Sequence, residues 1–427
     1  MPKEGIMMTR KLPLLCLALV AACADSVTAP TSASTRQLPA PSSAEHARVG
    51  TYVAMGTSLS MGVMSNGVVG ADQAQSWPAQ LAALAEVPFS QPLIQAVGCQ
   101  PPLASPLATL RRVNGESPFV RSNVCAPLAD GIVTPSQNLA ISEAITANAL
   151  GTTPESPSPA SWPLRGEFYS RVLAAGQTQL TAMLALRPDL VSVEFGVNEV
   201  LGARSGLLVP GVTIVPTAAW RPTYDQLIAG VKTAGAKVLL VGLLSDVANF
   251  PGLRRGAELD GNRSELARFG ILVSEDCGGS GSENHIYVPA KVVGAYAAAM
   301  AAQAAGQPAP TLSCADIPGT QDYVLTTADI RALDVQLADM NAHVRDVAGK
   351  NGFAFFDLDA LFGQRHLKAP FSATTLLMSH EPYGPFISLD GVHPSAAGHR
   401  ILAREAAKAL NVTYHLAVPR EAVPAQR

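Results

Sequence analysis

The sequence is poor in charged residues. Only 15% of its 427 residues are Asp, Glu, Lys or Arg, whereas 48% are hydrophobic, so the chain can build a large buried core. The net charge is -3 and no basic face is evident, so nucleic acid is not an expected partner. The sequence contains no internal repeat. Its 35 Gly and 33 Pro indicate many loops and long connections between secondary-structure elements.

The N-terminal apolar run is too short to span a membrane as a lasting helix. Near the N-terminus a short apolar run, Leu12–Val20, follows two basic residues, which is typical of an export signal. The segment Val20–Cys23 resembles a lipoprotein signal-peptidase site, at which Cys23 would be lipidated. Ordinary cleavage after the two alanines of this segment is the alternative.

These features predict how the chain is divided. Residues 1–23 are expected to be a lipoprotein signal peptide, and residues 24–47, rich in Ser, Thr, Ala and Pro, a flexible linker. The folded domain is expected over residues 48–412, followed by a C-terminal tail at 413–427. A lipid on Cys23 would anchor the protein in the cell envelope. Because Ala24, not Asp, follows this cysteine, we expect the outer membrane, on its periplasmic or surface face.

Cysteines are few, and two of the six are assigned to the N-terminal segment. Cys16 lies within the signal and Cys23 at the lipidation site, which leaves four: Cys99, Cys125, Cys277 and Cys314. An even number in an oxidising compartment predicts two disulfides. Three pairings are possible, and proximity in the sequence favours 99 with 125 and 277 with 314. No C-x-x-C spacing indicates a metal site, so neither metal nor cofactor is expected.

Short apolar runs alternate with helical patterns along the chain. The runs predicted as buried strands are Val49–Met55, Leu190–Phe195, Lys237–Leu244 and Phe353–Leu358. The predicted helices are Ser76–Ala85, Phe168–Leu186, Thr223–Ala234, Ala328–Ala348 and Ser395–Leu410. This alternation predicts an α/β fold, a flavodoxin-like three-layer α/β/α sandwich with a mainly parallel central sheet. Segments 99–165 and 245–325 are expected to be long loop insertions.

A serine follows the first predicted strand directly. Gly56 and Ser58 lie where the apolar run ends, at the edge of the sheet where open α/β folds bind ligands. If a helix follows, its N-terminal amides favour an oxyanion near Ser58. Because Ser and Gly after a strand are also typical of an ordinary turn, Ser58 becomes a candidate nucleophile only together with other residues.

The partners that such a serine needs lie near the other end of the chain. A hydroxyl needs an imidazole to accept its proton, and the imidazole needs an acceptor that fixes its tautomer. Asp390 lies three residues before His393, on one predicted loop, and can be that acceptor. A capped, solvated turn is the alternative interpretation.

A third group of polar residues follows the second predicted strand. Gly196 and Asn198 lie where this strand ends, and an Asn amide there is a good donor to a developing oxyanion. An Asx-type cap on the next segment is the alternative.

In order and spacing, these three groups resemble the SGNH, or GDSL-like, hydrolase family, especially its exported bacterial lipoprotein members. Ser58 matches the first block of the family, Gly196 and Asn198 the third, and Asp390 and His393 the fifth. The resemblance implies that the serine is the nucleophile and that Asp390 and His393 are its acid–base partners. It also implies an oxyanion hole that includes the Ser58 amide, Gly196 and Asn198.

Three positions depart from the family pattern. Thr57 stands where the family usually has Asp, and Asn198-Glu199 replaces its Asn-Asp pair; both changes leave the reacting groups intact. In the second block, Ser142 or Glu143 stands where a Gly usually supplies a backbone donor. Any non-Pro residue can donate an N–H, so Glu143 is retained as an oxyanion-hole residue. We expect the Glu143 and Glu199 side chains to turn away, because an acid opposes a developing negative charge.

The resemblance therefore implies an exported serine hydrolase of the esterase or lipase type. It would cleave a small-molecule, lipid or glycan ester through an acyl-enzyme on Ser58. Two alternatives remain open at this point. One is a surface binding protein with a degenerate hydrolase fold, which Glu143 would favour. The other is a deacetylase or acyltransferase that uses the same residues on envelope glycans.

Overall fold

The computed structural model describes residues 49–364 and 366–421. The predicted signal peptide, the proposed lipid site at Cys23 and the predicted linker all lie outside these residues. Within the described ranges, no helix combines the length and the apolarity that crossing a membrane requires.

The strands are short and are distributed along the whole described chain. In order they are β1 (Tyr52–Met55), β2 (Leu190–Glu194), β3 (Lys237–Gly242), β4 (Leu253–Arg255), β5 (Leu272–Val273), β6 (His285–Tyr287), β7 (Thr311–Leu312), β8 (Val324–Leu325) and β9 (Ala354–Asp357). Each predicted strand contains one of the strands β1, β2, β3 and β9.

Helices separate these strands. In order they are α1 (Ser58–Met61), α2 (Gly70–Gln73), α3 (Trp77–Leu84), α4 (Thr146–Gly151), α5 (Arg165–Val172), α6 (Gln179–Leu186), α7 (Asn198–Leu201), α8 (Thr217–Lys232), α9 (Gly256–Asp260), α10 (Arg263–Arg268), α11 (Val288–Ala304), α12 (Thr327–Asn351), α13 (Asp359–Phe362), α14 (Ala373–Met378) and α15 (Ala396–Tyr414). The side chain of Ser395 accepts hydrogen bonds from two amides of α15 and caps the helix.

The central sheet is parallel and has the order β1-β2-β3-β9. Strands β1, β2 and β3 are almost wholly buried, which explains why their sequences are continuous apolar runs and not alternating ones. In β9, buried residues alternate with half-buried ones. Asn138 forms a parallel bridge to Ala54 on the free side of β1. The segment at Asn138 thus extends the sheet beyond β1. If the five segments of this sheet are numbered by their order in the sequence, with Asn138 second and β9 fifth, their spatial order is 2-1-3-4-5, the order found in flavodoxin.

Helices cover the sheet in two groups. Helix α15 packs on α3 and on β9, whereas α8 packs on α4, α6 and α12. The core includes large side chains buried from both groups, such as Trp77 on α3 and Trp220 on α8. The predicted three-layer α/β/α fold is therefore confirmed.

The prediction of one helix over Phe168–Leu186 is wrong. The structure has α5 and α6, with an irregular link at residues 173–178. Gly176 in this link has a φ of +72°, a left-handed conformation that a right-handed helix cannot continue through. Thr178 then accepts a hydrogen bond from the Thr181 amide and begins α6.

The prediction of a loop insertion over residues 245–325 is also wrong. This segment contains α9, α10 and the 17-residue helix α11, together with strands β4 to β8. Strands β4, β6 and β8 form a small antiparallel sheet, and β5 and β7 form a parallel pair. Much of α11 is alanine, which is tolerated in buried and exposed positions alike, so the helix carries no apolar periodicity. Segment 99–165 is mostly irregular, as expected.

The folded domain extends beyond the predicted boundary at residue 412. Helix α15 continues to Tyr414, and the following Leu416 and Val418 are buried in the core. The first part of the predicted tail therefore belongs to the domain.

Candidate active site

Ser58 lies at the first turn after β1. It is the first residue of α1 and is 7% exposed. The turn that carries it is tightly packed, because a Cβ added to Gly56 would lie 2.8 Å from Glu194 Oε2 and from Ser60 Oγ. Only glycine allows the chain to approach these side chains so closely.

The three residues predicted as catalytic are brought together by the fold. His393 Nε2 is 3.0 Å from Ser58 Oγ, although 335 positions separate the two residues in the sequence. His393 Nδ1 is 2.8 Å from Asp390 Oδ2 on its other side. A hydroxyl, an imidazole and a carboxylate thus form one hydrogen-bonded chain, with each distance within ordinary hydrogen-bond range.

Asp390 is buried and is held in its ionised form. Its Oδ1 accepts hydrogen bonds from the amides of Val392 (3.0 Å) and His393 (2.8 Å). Burial alone would raise the pKa of Asp390, but the charge of His393 and these hydrogen bonds lower it to about 2. The carboxylate therefore remains an acceptor for the imidazole across the physiological pH range.

A tight turn that the sequence analysis missed also orients Asp390. Ser65 and Asn66 both have positive φ, 54° and 56°, in the two-residue turn between Met64 and Gly67. The Asn66 amide donates to Asp390 Oδ2 at 2.6 Å. Gln100 Nε2 in turn donates to Asn66 Oδ1 at 2.9 Å. The Ser-Asn-Gly sequence signals the turn, but not its contact with a residue more than 300 positions away.

Glu194 at the end of β2 is a second residue that was missed. It is 2% exposed and contacts the turn that carries Ser58. Its Oε2 accepts the Thr57 amide at 3.0 Å and the Ser60 hydroxyl at 3.0 Å, and Oε1 accepts the Thr57 hydroxyl at 2.9 Å. The carboxylate thus fixes the chain on both sides of Ser58. Burial raises the pKa of Glu194 to about 7, against these hydrogen bonds, which favour the ionised form.

The predicted oxyanion-hole residues differ in what they contribute. The amides of Ser58 and Glu143 donate to no other described residue. Asn198 lines the cavity at Ser58, and its Nδ2 donates one hydrogen bond to the Ala144 carbonyl at 2.8 Å, which leaves its second N–H. Gly196 has a φ of +124°, and a Cβ there would lie 3.1 Å from the Leu243 side chain. The positive φ and the close packing against Leu243 thus explain why residue 196 is a glycine.

Neither acidic side chain beside these donors points at the nucleophile. Glu143 has a φ of +62°, the left-handed conformation that a glycine would adopt readily. Its carboxylate forms a half-exposed ion pair with Arg121 at 3.0 Å. The Glu199 carboxylate is buried and accepts the Thr146 amide at 2.7 Å. Burial raises the pKa of Glu199, against the hydrogen bonds from Thr146.

Two kinds of space meet at the catalytic residues. A small cavity of about 30 Å³ is lined by Ser58 and Asn198 and also by the apolar residues Leu201 and Phe250. It shares both of these apolar residues with a second small cavity of about 20 Å³. A larger cavity of about 290 Å³ shares His393 and Val392 with the small one.

Other polar groups in the described part of the chain have structural roles. His399, the other histidine of this region, is fully buried, accepts the Trp77 amide at 3.3 Å, and packs α15 on α3. Burial and the charge of His393 lower the pKa of His399 to about 3, so it stays neutral.

The sulfur atoms pair as proximity in the sequence favoured. Cys99 is bonded to Cys125, and Cys277 to Cys314. Asp276 lies beside the second pair, in a group of oxygen and sulfur atoms compact enough to hold a metal. Because both sulfurs form the disulfide, they are not available as thiolate ligands.

The chain is similar to several known proteins. The model of the GDSL-like lipase/acylhydrolase family matches residues 164–401, a range that contains Asn198, Asp390 and His393 and begins after Ser58. No curated protein is similar enough to the chain to match it.

Among solved structures, an acetylxylan esterase from Geobacillus stearothermophilus is similar, with 13% identity, a TM-score of 0.35, and coverage of 86% of this chain and 98% of that one. A protein described as a GDSL-like lipase from Parabacteroides merdae is similar with 12% identity and a TM-score of 0.33. The match covers 86% of this chain and 97% of that one. These structural likenesses are weak. The family match, in contrast, spans more than half of the sequence, and the chain belongs to the GDSL-like lipase/acylhydrolase family.

Proposed function

We propose that the protein is a serine esterase that removes short acyl groups through an acyl-enzyme on Ser58. The observation that carries this proposal is the hydrogen-bonded chain from Ser58 Oγ through His393 to Asp390. Membership of an acylhydrolase family supports the same reaction.

The reaction follows from this geometry. Ser58 Oγ attacks the ester carbonyl carbon while its proton passes to His393 Nε2. The tetrahedral intermediate then collapses, the bond to the alcohol oxygen breaks, and His393 gives the proton to the leaving alkoxide. Water attacks the acyl-enzyme with the same histidine as base, and its proton returns to Ser58 Oγ as the carboxylic acid leaves. Asp390 holds the imidazole in the tautomer that each step needs.

The oxyanion is assigned to three donors. These are the amides of Ser58 and Glu143 and the side-chain amide of Asn198. The two backbone N–H groups have no partner among the described residues, and Asn198 is fixed by its bond to Ala144. Fixed donors of this kind stabilise a tetrahedral intermediate by about 3 kcal/mol each. Because the Glu143 side chain is paired with Arg121, the feature that favoured a degenerate binding protein loses its force.

The small space beside Ser58 supports a short acyl group. A cavity of about 30 Å³ has room for about two water-sized groups. Phe250 and Leu201 border it, and they also border the adjoining apolar cavity, which at about 20 Å³ is no larger. An acetyl or propionyl group fits this space, whereas a long chain would require both side chains to move. An acetyl ester of a glycan is one substrate that meets this limit.

A series of p-nitrophenyl esters tests the proposal. With the chain from residue 49 onwards, we expect kcat/KM to be highest for acetate to butyrate and at least about tenfold lower for octanoate and palmitate. Ser58→Ala is the matched control and should lose hydrolysis of every ester. A maximum at palmitate would contradict the short-acyl proposal, and the absence of any Ser58-dependent hydrolysis would contradict the esterase itself.

We also propose that the protein is exported and is anchored by a lipid on Cys23, in the outer membrane of a cell that has one. The two disulfides support export, because such bonds form and persist in oxidising compartments. The proposal of a lipid anchor is supported only by the sequence around Cys23.

A further inference from the structure

The larger cavity, of about 290 Å³, lies where the alcohol part of an ester must go. His393 lines both cavities, whereas Asp390 lines only the larger one and Ser58 and Asn198 line only the small one. The nucleophile Ser58 and the proposed oxyanion donor Asn198 therefore place the acyl carbon at the small cavity. His393 must reach the leaving oxygen to return its proton, so the rest of the alcohol extends from that oxygen into the larger cavity.

The charges that line this cavity are mostly positive. Arg111 and Arg204 both border it. Asp390 is the one carboxylate among its lining residues, and both of its oxygens already accept hydrogen bonds from His393 and its neighbours. The charged residues that border the cavity are therefore two arginines, one histidine and one carboxylate whose oxygens are already engaged.

Neither guanidinium is neutralised within the described chain. No carboxylate of that part lies within 4.0 Å of Arg111 or Arg204. Each makes a single hydrogen bond to a backbone carbonyl, Arg111 to Gly115 at 2.8 Å and Arg204 to Leu201 at 3.4 Å. Since a guanidinium has five N–H donors, most remain for a ligand.

The segment that carries Arg204 is held against the small antiparallel sheet. The Tyr323 amide, just before β8, donates to the Ser205 carbonyl at 2.9 Å. A Cβ on the neighbouring Gly206 would lie 2.5 Å from Asp322 Oδ1, so the two segments are in close contact. Tyr287 on β6 lines the same cavity and donates to the Asp390 carbonyl at 2.8 Å. These contacts fix the backbone segment that carries Arg204.

We propose that this cavity binds an anionic group, a phosphate or a carboxylate, on the alcohol part of the ester. Guanidinium groups suit both anions, because their planar N–H donors match two oxygens at once. The inference rests on the proposed esterase function and adds the substrate class to it: short acyl esters of an acidic alcohol.

Paired substrates test the proposal. The probes are the acetyl esters of glycerol 3-phosphate and of glycerol, and those of galacturonic acid and of galactose. We expect kcat/KM to be higher for the anionic member of at least one pair, and the pair that responds identifies phosphate or carboxylate as the ligand. The preference should decrease as salt is raised from 20 to 500 mM, because exposed charges are screened.

Arginine variants locate the preference. Arg111→Gln and Arg204→Gln should each lower the ratio of anionic to neutral kcat/KM by about three- to fivefold, the size expected of an exposed ion pair. Arg204→Lys should keep only part of the ratio, because the positive charge remains but the two-pronged guanidinium is lost. Arg204→Glu should bring the ratio below one. Arg331→Gln is the matched control, because this exposed arginine on α12 borders neither cavity.

The outcomes separate the two proposals. Hydrolysis of all four esters with equal kcat/KM, or a preference that survives in both glutamine variants, overturns the anionic site and leaves the esterase intact. If none of these esters nor p-nitrophenyl acetate is hydrolysed, the esterase proposal fails, and this inference fails with it.

Discussion

At the scale of single residues, Asp390 is the group on which His393 depends most directly. We expect Asp390→Asn to keep the fold and to lower kcat strongly, because an amide at this position favours the wrong imidazole tautomer. The corresponding change in serine proteases lowers kcat about ten-thousandfold. Steady-state kinetics with p-nitrophenyl acetate measures the effect, and His393→Ala should be at least as damaging.

The two other acids near the site are the controls for this prediction. Glu143→Gln and Glu199→Gln should retain far more activity than Asp390→Asn, because both carboxylates bind other groups, Arg121 and Thr146. A fully active Asp390→Asn beside an inactive variant of either glutamate would mean that the acid is wrongly assigned.

Glu194 is expected to make stability depend on pH. Its pKa is raised by burial from 4.5 to about 7, so the folded state holds a proton that the unfolded state has released. Stability due to this group therefore falls as pH rises from about 4.5 to about 7, by roughly 3 kcal/mol, and changes no further above that. Glu194→Gln cannot ionise and should lose this dependence.

Urea unfolding at pH 5 and pH 8 measures this difference. Between these two pH values, the free energy of unfolding should fall by about 2.5 kcal/mol more for the wild type than for Glu194→Gln. Equal losses would show that Glu194 does not titrate in this range. Glu194→Ala should also lower kcat, because it leaves the amides of Thr57 and Ser60 without their acceptor on either side of the nucleophile.

At the scale of secondary-structure elements, the disulfide between Cys99 and Cys125 is linked to the site by a short path. Gln100, which follows Cys99, donates a hydrogen bond to the side chain of Asn66. The backbone amide of Asn66 in turn donates to Asp390. Replacing both cysteines by serine should cost about 3.5 kcal/mol for a separation of 26 residues. It should also lower kcat by about tenfold or more, since small displacements of catalytic groups are costly.

The second disulfide is the control. Cys277 and Cys314 are 37 residues apart, so removing them should cost a similar amount of stability. We expect kcat to change by less than about twofold, because no described hydrogen bond joins this pair to the catalytic residues. Thermal unfolding and kcat are measured together, at a temperature where both variants are folded. Equal losses of kcat would refute the link through Gln100.

The elements that the sequence predicted are those with local signals. β1, β2, β3 and β9 are continuous apolar runs, and Ser58, Asp390 and His393 each lie just outside a predicted element. Glu194 had no such signal, because it ends an apolar run and its contact with Thr57 depends on how β1 pairs with β2. The pairing of Met55 with Val193 sets that register, and register is a tertiary property.

The insertions were predicted less well for a similar reason. Helix α11 consists largely of alanine, and the short strands β4 to β8 have two or three residues each. Neither gives a period that a sequence pattern can detect. Their positions follow from pairing with each other, which is also what brings Tyr287 to the larger cavity.

At the scale of the whole molecule, the anchor and the catalytic domain should be separable. Cys23 lies outside the described residues, and the described domain begins 26 positions later, at Val49. We expect the wild type to incorporate labelled palmitate in a lipoprotein-processing bacterium and Cys23→Ser to lose the label, while the esterase activity of the purified domain is the same. Palmitate that persists in Cys23→Ser would rule out this lipid site.

The central claim is that Ser58 carries the acyl group, and a fluorophosphonate tests it most directly. Treatment of the folded protein should add one phosphonyl group, which peptide mass spectrometry should place on Ser58 with concurrent loss of esterase activity. Ser58→Ala should unfold at the same temperature as the wild type and take up no label. Labelling of Ser58→Ala, or of another serine in the wild type with the same loss of activity, would contradict the account.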